Sequence, residues 1–360
     1  MNFNILTALK ELQKERDISA EELYLTVEAA LISAYRKKYS YDGELLIEFE
    51  DDGNIAVMTY KTVVNGKPVS ETEISVNEAG KLVDEVDEGD QVKVDITPRQ
   101  FGRVAEQTAK QVIVQKMNEV DRKVVYDKYS NKYGILTVGK IQRFDRGDIL
   151  VELDDGIEAI LPLKEQIPSQ RFRQGDRVKA VIIEVRRTAK GPQIVLSRTH
   201  PDFLERLFEQ EIPEIPDKLV EIKSIAREPG VRSKIAVFSA EEHIDAVGSC
   251  VGLRGSRIQG IVNELFGEKI DIVKWNEDTQ VYISNALSPA RPNHMEFSED
   301  ENRMFVVVPD SQLSLAIGRE GQNVRLAAKL AHVKIDIVKE SDYIKSLQSG
   351  EGLLSAGFKA

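Results

Sequence analysis

The chain has 360 residues, 41% of them hydrophobic and 6% aromatic, with a single cysteine and a formal charge of -11. One cysteine, Cys250, excludes an internal disulfide framework and a cysteine-rich metal site, and no apolar run approaches the roughly 20 residues that span a bilayer. A strongly anionic protein is repelled by phosphate, so indiscriminate nucleic-acid binding through overall charge is excluded as well.

The start, MNFNILTALKELQKERD, has charges throughout, which fits an amphipathic helix and not a signal peptide. Leu6, Leu9 and Leu12 share one face of that helix. A second helix opens at Ser19 with Glu21 and Glu22 in its first turn, and continues through Leu23, Val27, Ala30, Leu31 and Ala34 to the basic cluster Arg36-Lys37-Lys38. Strands are expected at Glu44–Glu50, at Ile55–Val64 after a turn at Asp52-Gly53, and at Val92–Ile96. Residues 71–90 hold eight acids against one lysine, Lys81. A long helix follows Pro98, with Ala105, Ala109, Val112, Met117, Val120 and Val124 at helical spacing. Arg99, Arg103 and Lys110 are four and seven residues apart and are expected on one helical face, and with Lys116 they suit contact with a polyanion.

From Gly134 the texture is all-β. Strands are expected at Ile135–Phe144, Asp148–Leu153, Ile157–Leu161, Arg177–Arg186 and Gln193–Ser197, with a turn at Lys190-Gly191-Pro192 among those between them; five strands in this span suit an OB-type barrel. This is the one net-basic part of the chain. Residues 133–200 hold 12 Lys+Arg against 9 Asp+Glu, whereas residues 1–132, 201–276 and 277–360 carry -7, -4 and -3. Phe144, Arg146, Arg171, Phe172, Arg173, Arg186, Arg187, Lys190 and Arg198 interleave rings with guanidinium and ammonium groups, as single-strand binding surfaces do. Core packing is the competing role for Phe144 and Phe172.

The last third contains a duplication. Lys-Ile-Asp-Ile-Val-Lys occurs at Lys269–Lys274 and at Lys334–Lys339, and a Gly-x-x-Gly turn precedes each copy by 17 and 16 residues. The turns are Gly252-Leu253-Arg254-Gly255 and Gly318-Arg319-Glu320-Gly321. Apolar helix, Gly-x-x-Gly, apolar helix and strand is the plan of the KH nucleic-acid-binding module, whose glycine turn brings backbone amides at a helix start up to the sugar-phosphate chain. Arg254 and Arg319 are the phosphate-pairing candidates, aided by Arg257 and Arg325. Glu320 weakens attraction at the second turn. No long flexible linker separates barrel and repeats, so one rigid, elongated binding surface is expected.

The helix Arg103–Lys116, the strings Val251–Ile258 and Gly267–Ile272, and Ala316–Val324 together resemble the NusA family of bacterial transcription elongation, termination and antitermination factors. The resemblance runs to about Lys345. It implies a multidomain α+β chain: an N-terminal α/β RNA-polymerase-binding domain (1–132), a five-stranded OB barrel of the ribosomal-protein-S-one type (133–200), two tandem prokaryotic-type KH domains (201–276 and 277–345) and a tail (346–360). It implies RNA polymerase, nascent single-stranded and hairpin RNA, and other elongation or antitermination factors as partners. Arg103, Lys110 and Lys116 would face the emerging hairpin, and the two glycine turns would hold single-stranded transcript. A soluble, cytoplasmic monomer without cofactor or membrane contact is expected. Strand Asp148–Val151 lacks the aromatic that many such barrels carry, and the acidic C-terminal repeats of some relatives are not carried over.

An enzymatic reading has little to stand on. His200, His243, His294 and His332 are scattered without ligand or triad spacing, Cys250 suits a small hydrophobe in a helix, and neither a phosphate-binding Walker loop nor a dinucleotide fingerprint occurs. The alternatives are an RNA-processing enzyme that uses KH and OB modules as substrate handles, and a ribosome-associated or translation-regulatory RNA binder.

Overall fold

The structure, a computed structural model, describes residues 19–50, 54–189 and 191–348. The expected first helix, the turn at Asp52-Gly53, Lys190 and the end of the tail lie outside those residues. The chain divides into two compact units, Met1–Val125 and Tyr126–Ala360.

In the first unit, α1 (Ala20–Tyr39) starts at Ser19, whose hydroxyl accepts the Glu22 amide hydrogen, and ends on Ser40 in the left-handed region. Four strands follow: β1 (Leu46–Phe49), β2 (Ile55–Val64), β3 (Glu73–Ser75) and, after a single helical turn α2 (Val76–Ala79), β4 (Gln91–Asp95). β1 and β4 pair antiparallel with β2, and β3 pairs parallel with its end. The long helix α3 (Phe101–Ser130) then begins. Leu23, Val27, Leu31 and Tyr35 of α1, Ile47, Ile55 and Val57 of the sheet, and Phe101, Ala105, Ala109 and Ile113 of α3 form one core. Their spacing of four residues on each helix makes the buried stripe. Val124 departs from expectation: it is 59% exposed, because the apolar stripe of α3 is covered only as far as Met117 and Val120.

The second unit opens with a closed barrel, β5 (Leu136–Asp145), β6 (Asp148–Leu153), β7 (Glu158–Leu161), β8 (Arg177–Thr188) and β9 (Gly191–Ser197), in the order β5-β6-β7-β9-β8. Helix α4 (Pro201–Glu211) follows, with the His200 ring accepting the Asp202 amide hydrogen. Two copies of one topology complete the unit. The first is β10 (Glu221–Glu228), β11 (Arg232–Phe238), α5 (Ala246–Val251), α6 (Ser256–Glu264) and β12 (Lys269–Lys274). After α7 (Thr279–Ala286), the second is β13 (His294–Ser298), β14 (Arg303–Val308), α8 (Leu313–Ile317), α9 (Gln322–Ala331) and β15 (Lys334–Lys339), closed by α10 (Glu340–Gln348). In each copy the first two strands are antiparallel and the last runs parallel to the second, with Arg232 opposite Lys269 and Arg303 opposite Lys334.

These parts are not beads on a string. Val181 of the barrel, Phe203, Leu204, Leu207 and Phe208 of α4, and Ile235, Val237, Cys250 and Ile261 of the first copy belong to one buried cluster. Ala226, Ala236 and Val273 on the other face of the first copy's sheet join Ile283, Met304, Val306, Leu326 and Leu330 in a second. The sheet of the first copy is thus apolar on both faces, one facing its own helices and one facing the second copy.

Two buried arginines reinforce the first joint. Arg198 donates to the Gln170 side chain, the Lys179 carbonyl, and both the carboxylate and the carbonyl of Glu264. Its guanidinium lies over the rings of Phe203, Phe172 and Phe266 at 4.7, 5.5 and 5.9 Å. Arg227 makes a two-pronged pair with Glu268 at 2.9 Å and a third bond to the His200 carbonyl. Glu268 also accepts from the Gly230 amide and the Ser233 hydroxyl, so every charge in the cluster is answered. Replacing Glu268 with Ala leaves Arg227 buried and unpaired, and should lower unfolding free energy by about 3–5 kcal/mol, read from a denaturant titration of the whole chain.

Candidate nucleic-acid interface

Each glycine turn is a corner between two helices. Asp245 caps α5 by accepting the Val247 amide hydrogen, and α5 ends at Gly252, whose amide donates to the Gly248 carbonyl at 2.9 Å. Gly252 then turns the chain at φ 75°, ψ 174°, a region essentially restricted to glycine. Arg254 at φ 53°, ψ 28° and Gly255 at φ 79°, ψ 14° lead into α6. The second turn repeats this backbone: Gly318 at 76°, 176°, Glu320 at 54°, 29° and Gly321 at 73°, 12°. The left-handed Arg254 and Glu320 escape sequence reasoning, since neither is a glycine. No side chain caps α6 or α9; their first amides, of Ser256 and Gln322, donate to the Leu253 and Arg319 carbonyls, and the positive dipole ends behind them suit an anion. Leu253 is 85% exposed, and Arg254, Arg319 and Glu320 are exposed around it or its counterpart.

Arg257 and Arg325 sit differently. Arg257 Nη1 is bonded to both oxygens of Glu214 at 2.9 Å and to the Ser249 carbonyl at 2.7 Å. Arg325 Nε meets Glu228 of β10 at 2.6 Å, and its Nη1 donates to the Glu320 carbonyl at 3.2 Å. Gln322 bonds the same carboxylate. These contacts hold the Glu214 and Glu228 carboxyls below the ordinary range: at Glu214 burial is the largest influence and pushes upward, and the Arg257 bond, a backbone hydrogen bond and the Arg257 charge together outweigh it, whereas at Glu228 the Arg325 bond is the largest influence.

The duplicated hexapeptide has a structural origin that its sequence concealed. Asp271 pairs with Arg232 at 2.8 Å and Asp336 pairs with Arg303 at 2.8 Å, each Arg standing at the equivalent strand position. Asp271 also holds the buried Lys234 at 2.9 Å. Burial alone would raise the Asp271 carboxyl; the two cations beside it depress it below its usual value.

On the barrel, Phe144 is half-exposed near the end of β5, and Arg146 occupies the left-handed turn into β6. Arg171 donates to the Pro168 carbonyl, and Arg173 is exposed. Arg186 is paired with Glu184, and the Arg187 guanidinium lies 4.1 Å from the Tyr126 ring centre. Register separates these groups: β5 and β8 pair from Leu136–Val181 to Lys140–Arg177, so Arg186 and Arg187 run on past the start of β5, away from Phe144. Phe172 packs against Phe266 and beneath Arg198, so both leave the exposed set. In the first unit, Arg103 and Lys110 are exposed on α3, whereas Arg99 lies in the turn before the helix begins at Phe101. Lys116 is half-buried and bonded to Glu22 of α1 at 2.8 Å.

Among the described residues no cluster of His, Cys, Asp or Glu is arranged to hold a metal ion, and no helix is long and apolar enough to cross a membrane. Cys250 packs in the core, its thiol pushed up to about 12 by burial.

Four family models match in chain order: the NusA N-terminal domain over residues 4–123, the S1 RNA-binding domain over 136–197, the NusA-like first KH domain over 198–275 and the NusA-like second KH domain over 279–345. A protein of Halalkalibacterium halodurans named transcription termination/antitermination protein NusA is 47% identical over 95% of this chain and 90% of its own. The chain belongs to the NusA family. A Bacillus subtilis protein of the same name is also 47% identical, over 95% of this chain and 92% of its own length, and one from Thermus thermophilus is 39% identical over 92% and 88%. The solution structure of the N-terminal domain of NusA from Bacillus subtilis is 39% identical, covering 33% of this chain and 96% of its own, with a TM-score of 0.29.

The two KH turns of this family member differ in what lies behind the first glycine. A Cβ on Gly252 would meet Arg257 Cγ at 2.8 Å, a side-chain atom, whereas a Cβ on Gly318 would meet the Asn323 backbone nitrogen at 2.8 Å. Gly318→Ala should therefore destabilise more, by about 3 kcal/mol against about 1–2 kcal/mol for Gly252→Ala, measured by thermal unfolding of the two variants side by side.

Proposed function

We propose that the chain is a transcription factor that binds RNA polymerase through residues 1–132 and nascent RNA through the barrel and the two KH domains, and so modulates pausing, termination and antitermination. The domain limits 133–200, 201–276 and 277–345 go with this reading, as does a monomeric, non-enzymatic factor. The observation that carries it is the pair of glycine corners without side-chain caps, held with an S1-type barrel by two cores on opposite faces of the first copy's sheet. Each KH grips about four nucleotides, and rigid tethering of two such grips raises the effective concentration of the second.

Within the barrel, Phe144, Arg146, Arg171 and Arg173 form the RNA-facing group we favour, with Arg186 and Arg187 on a separate stretch of β8. Arg99, Arg103 and Lys110 supply the basic surface for a hairpin. Lys116 supports that surface through its pair with Glu22.

Replacing both Leu253 and Arg254 with Asp should weaken binding of unstructured RNA roughly tenfold or more while a polymerase pull-down stays unchanged; equal RNA affinity in an anisotropy titration would remove the first turn from the interface. Charge reversal at Arg103 and Lys110 should shorten hairpin-stabilised pauses in a single-round transcription assay, and unaltered pause lifetimes would return α3 to the role of a solvated helix.

A further inference from the structure

Five residues after the first glycine of each turn stands a side chain that runs back beneath that glycine: Arg257 in the first copy and Asn323 in the second. Built Cβ atoms on Gly252 and Gly318 would lie 2.8 Å from Arg257 Cγ and 2.7 Å from Asn323 Cβ. Both side chains donate to the same backbone position, the carbonyl three residues before the glycine. Arg257 Nη1 reaches the Ser249 carbonyl at 2.7 Å, and Asn323 Nδ2 reaches that of Leu315 at 3.2 Å. Asn323 adds the carbonyls of Leu287 and Ala316, at 3.0 and 3.2 Å.

An arginine and an asparagine share little chemistry, yet each ties the end of the first helix to the start of the second. The last carbonyls of a helix lack intrahelical partners, so a donor there fixes the corner between the two helices. The amides that meet a phosphate belong to the helix on the far side of that corner, and their aim depends on it. The fastening differs between copies. Asn323 is 4% exposed and bonds within its own copy and the α7 turn before it. Arg257 is additionally held by Glu214, from the proline-flanked loop between α4 and β10.

We propose that Arg257 and Asn323 are positioning residues for the RNA backbone at the two turns, and that Glu214, outside the Gly-x-x-Gly segment, belongs to the first grip through Arg257. The proposal rests on the RNA-binding reading above. It makes a prediction of unusual sign. Removing an anion beside a polyanion site tightens binding on charge alone, whereas loss of the Glu214 anchor loosens the corner and weakens it.

The test is anisotropy of an unstructured fluorescent oligoribonucleotide against the full chain and its Glu214→Gln, Arg257→Met and Arg257→Lys variants, over a salt series. Glu214→Gln and Arg257→Met should each weaken binding about fivefold with an unchanged salt slope. Arg257→Lys should restore most of the affinity, since one ammonium has three N–H groups for the three acceptors. Glu214 is partly exposed, so its amide variant stays folded even where the methionine variant does not. Unchanged or tighter binding by Glu214→Gln overturns the proposal. So does a salt slope shallower by about 0.7 in Arg257→Met, which would put that guanidinium on a phosphate. The variant with Asp at both 253 and 254 serves as reference: if it too binds as the parent does, the RNA reading falls and the proposal with it.

Discussion

Arg198 is the contact on which the second unit depends. A guanidinium taken out of water carries several kcal/mol of desolvation, recovered only if nearly all its donors are met. Here they are met from two directions: Gln170 and the Lys179 carbonyl belong to the barrel, and both acceptors of Glu264 belong to the first KH copy. Burial still pulls the Arg198 pKa below the ordinary arginine value, with Glu264 opposing the shift. The rings of Phe172, Phe203 and Phe266 close the site. Sliding the barrel relative to the KH copy would strand this charge, so the joint has one low-energy geometry. Ordinary apolar packing in the same place would tolerate a shift of register far more readily.

The second joint works by another means. Between the two KH copies the contact is an apolar sheet face laid on helices, with Glu228, Gln322 and Arg325 at its edge. The first copy's sheet therefore has no solvated face, which explains why β11 reads as the apolar run Ile235–Val237 flanked by the neutralised Lys234. The glycine turns sit on helices supported by these shared cores. Their relative placement within the unit follows from packing and not from a linker, and this is the condition under which two weak grips act together.

The barrel was legible because five short strand-like runs follow one another within a single span, and the KH copies because glycine pairs and a repeated string mark them. The shared cores and the arginine clusters were not. Arg227 and Glu268 are 41 residues apart and Arg198 and Glu264 are 66 apart, separations at which no periodic pattern links the partners. Arg198 read as one more base in a basic stretch because burial is a property of the joint and not of its neighbours in sequence. Short β3 lay hidden in an acidic segment, and of its three residues only Ile74 is buried. The same limit explains Arg257, Arg325 and Lys116: residue type suggested phosphate, and their carboxylate partners, Glu214, Glu228 and Glu22, come from distant parts of the chain.

The two turns share a backbone to within a few degrees, so their difference is carried by side chains alone. Arg254 and Glu320 occupy the same left-handed position with opposite charge, and Arg319 stands where the first copy has Leu253. The second turn thus offers the same amides with a weaker local field. It is also tied elsewhere: Arg325 reaches the Glu320 carbonyl with one nitrogen and Glu228 of the first copy with another. A change at the end of β10 is therefore felt at the second corner, whereas the first corner answers to the loop at Glu214. The duplication kept the geometry of the turn and placed its supports in different neighbours, which makes the second turn dependent on the first copy in a way the first turn is not dependent on the second.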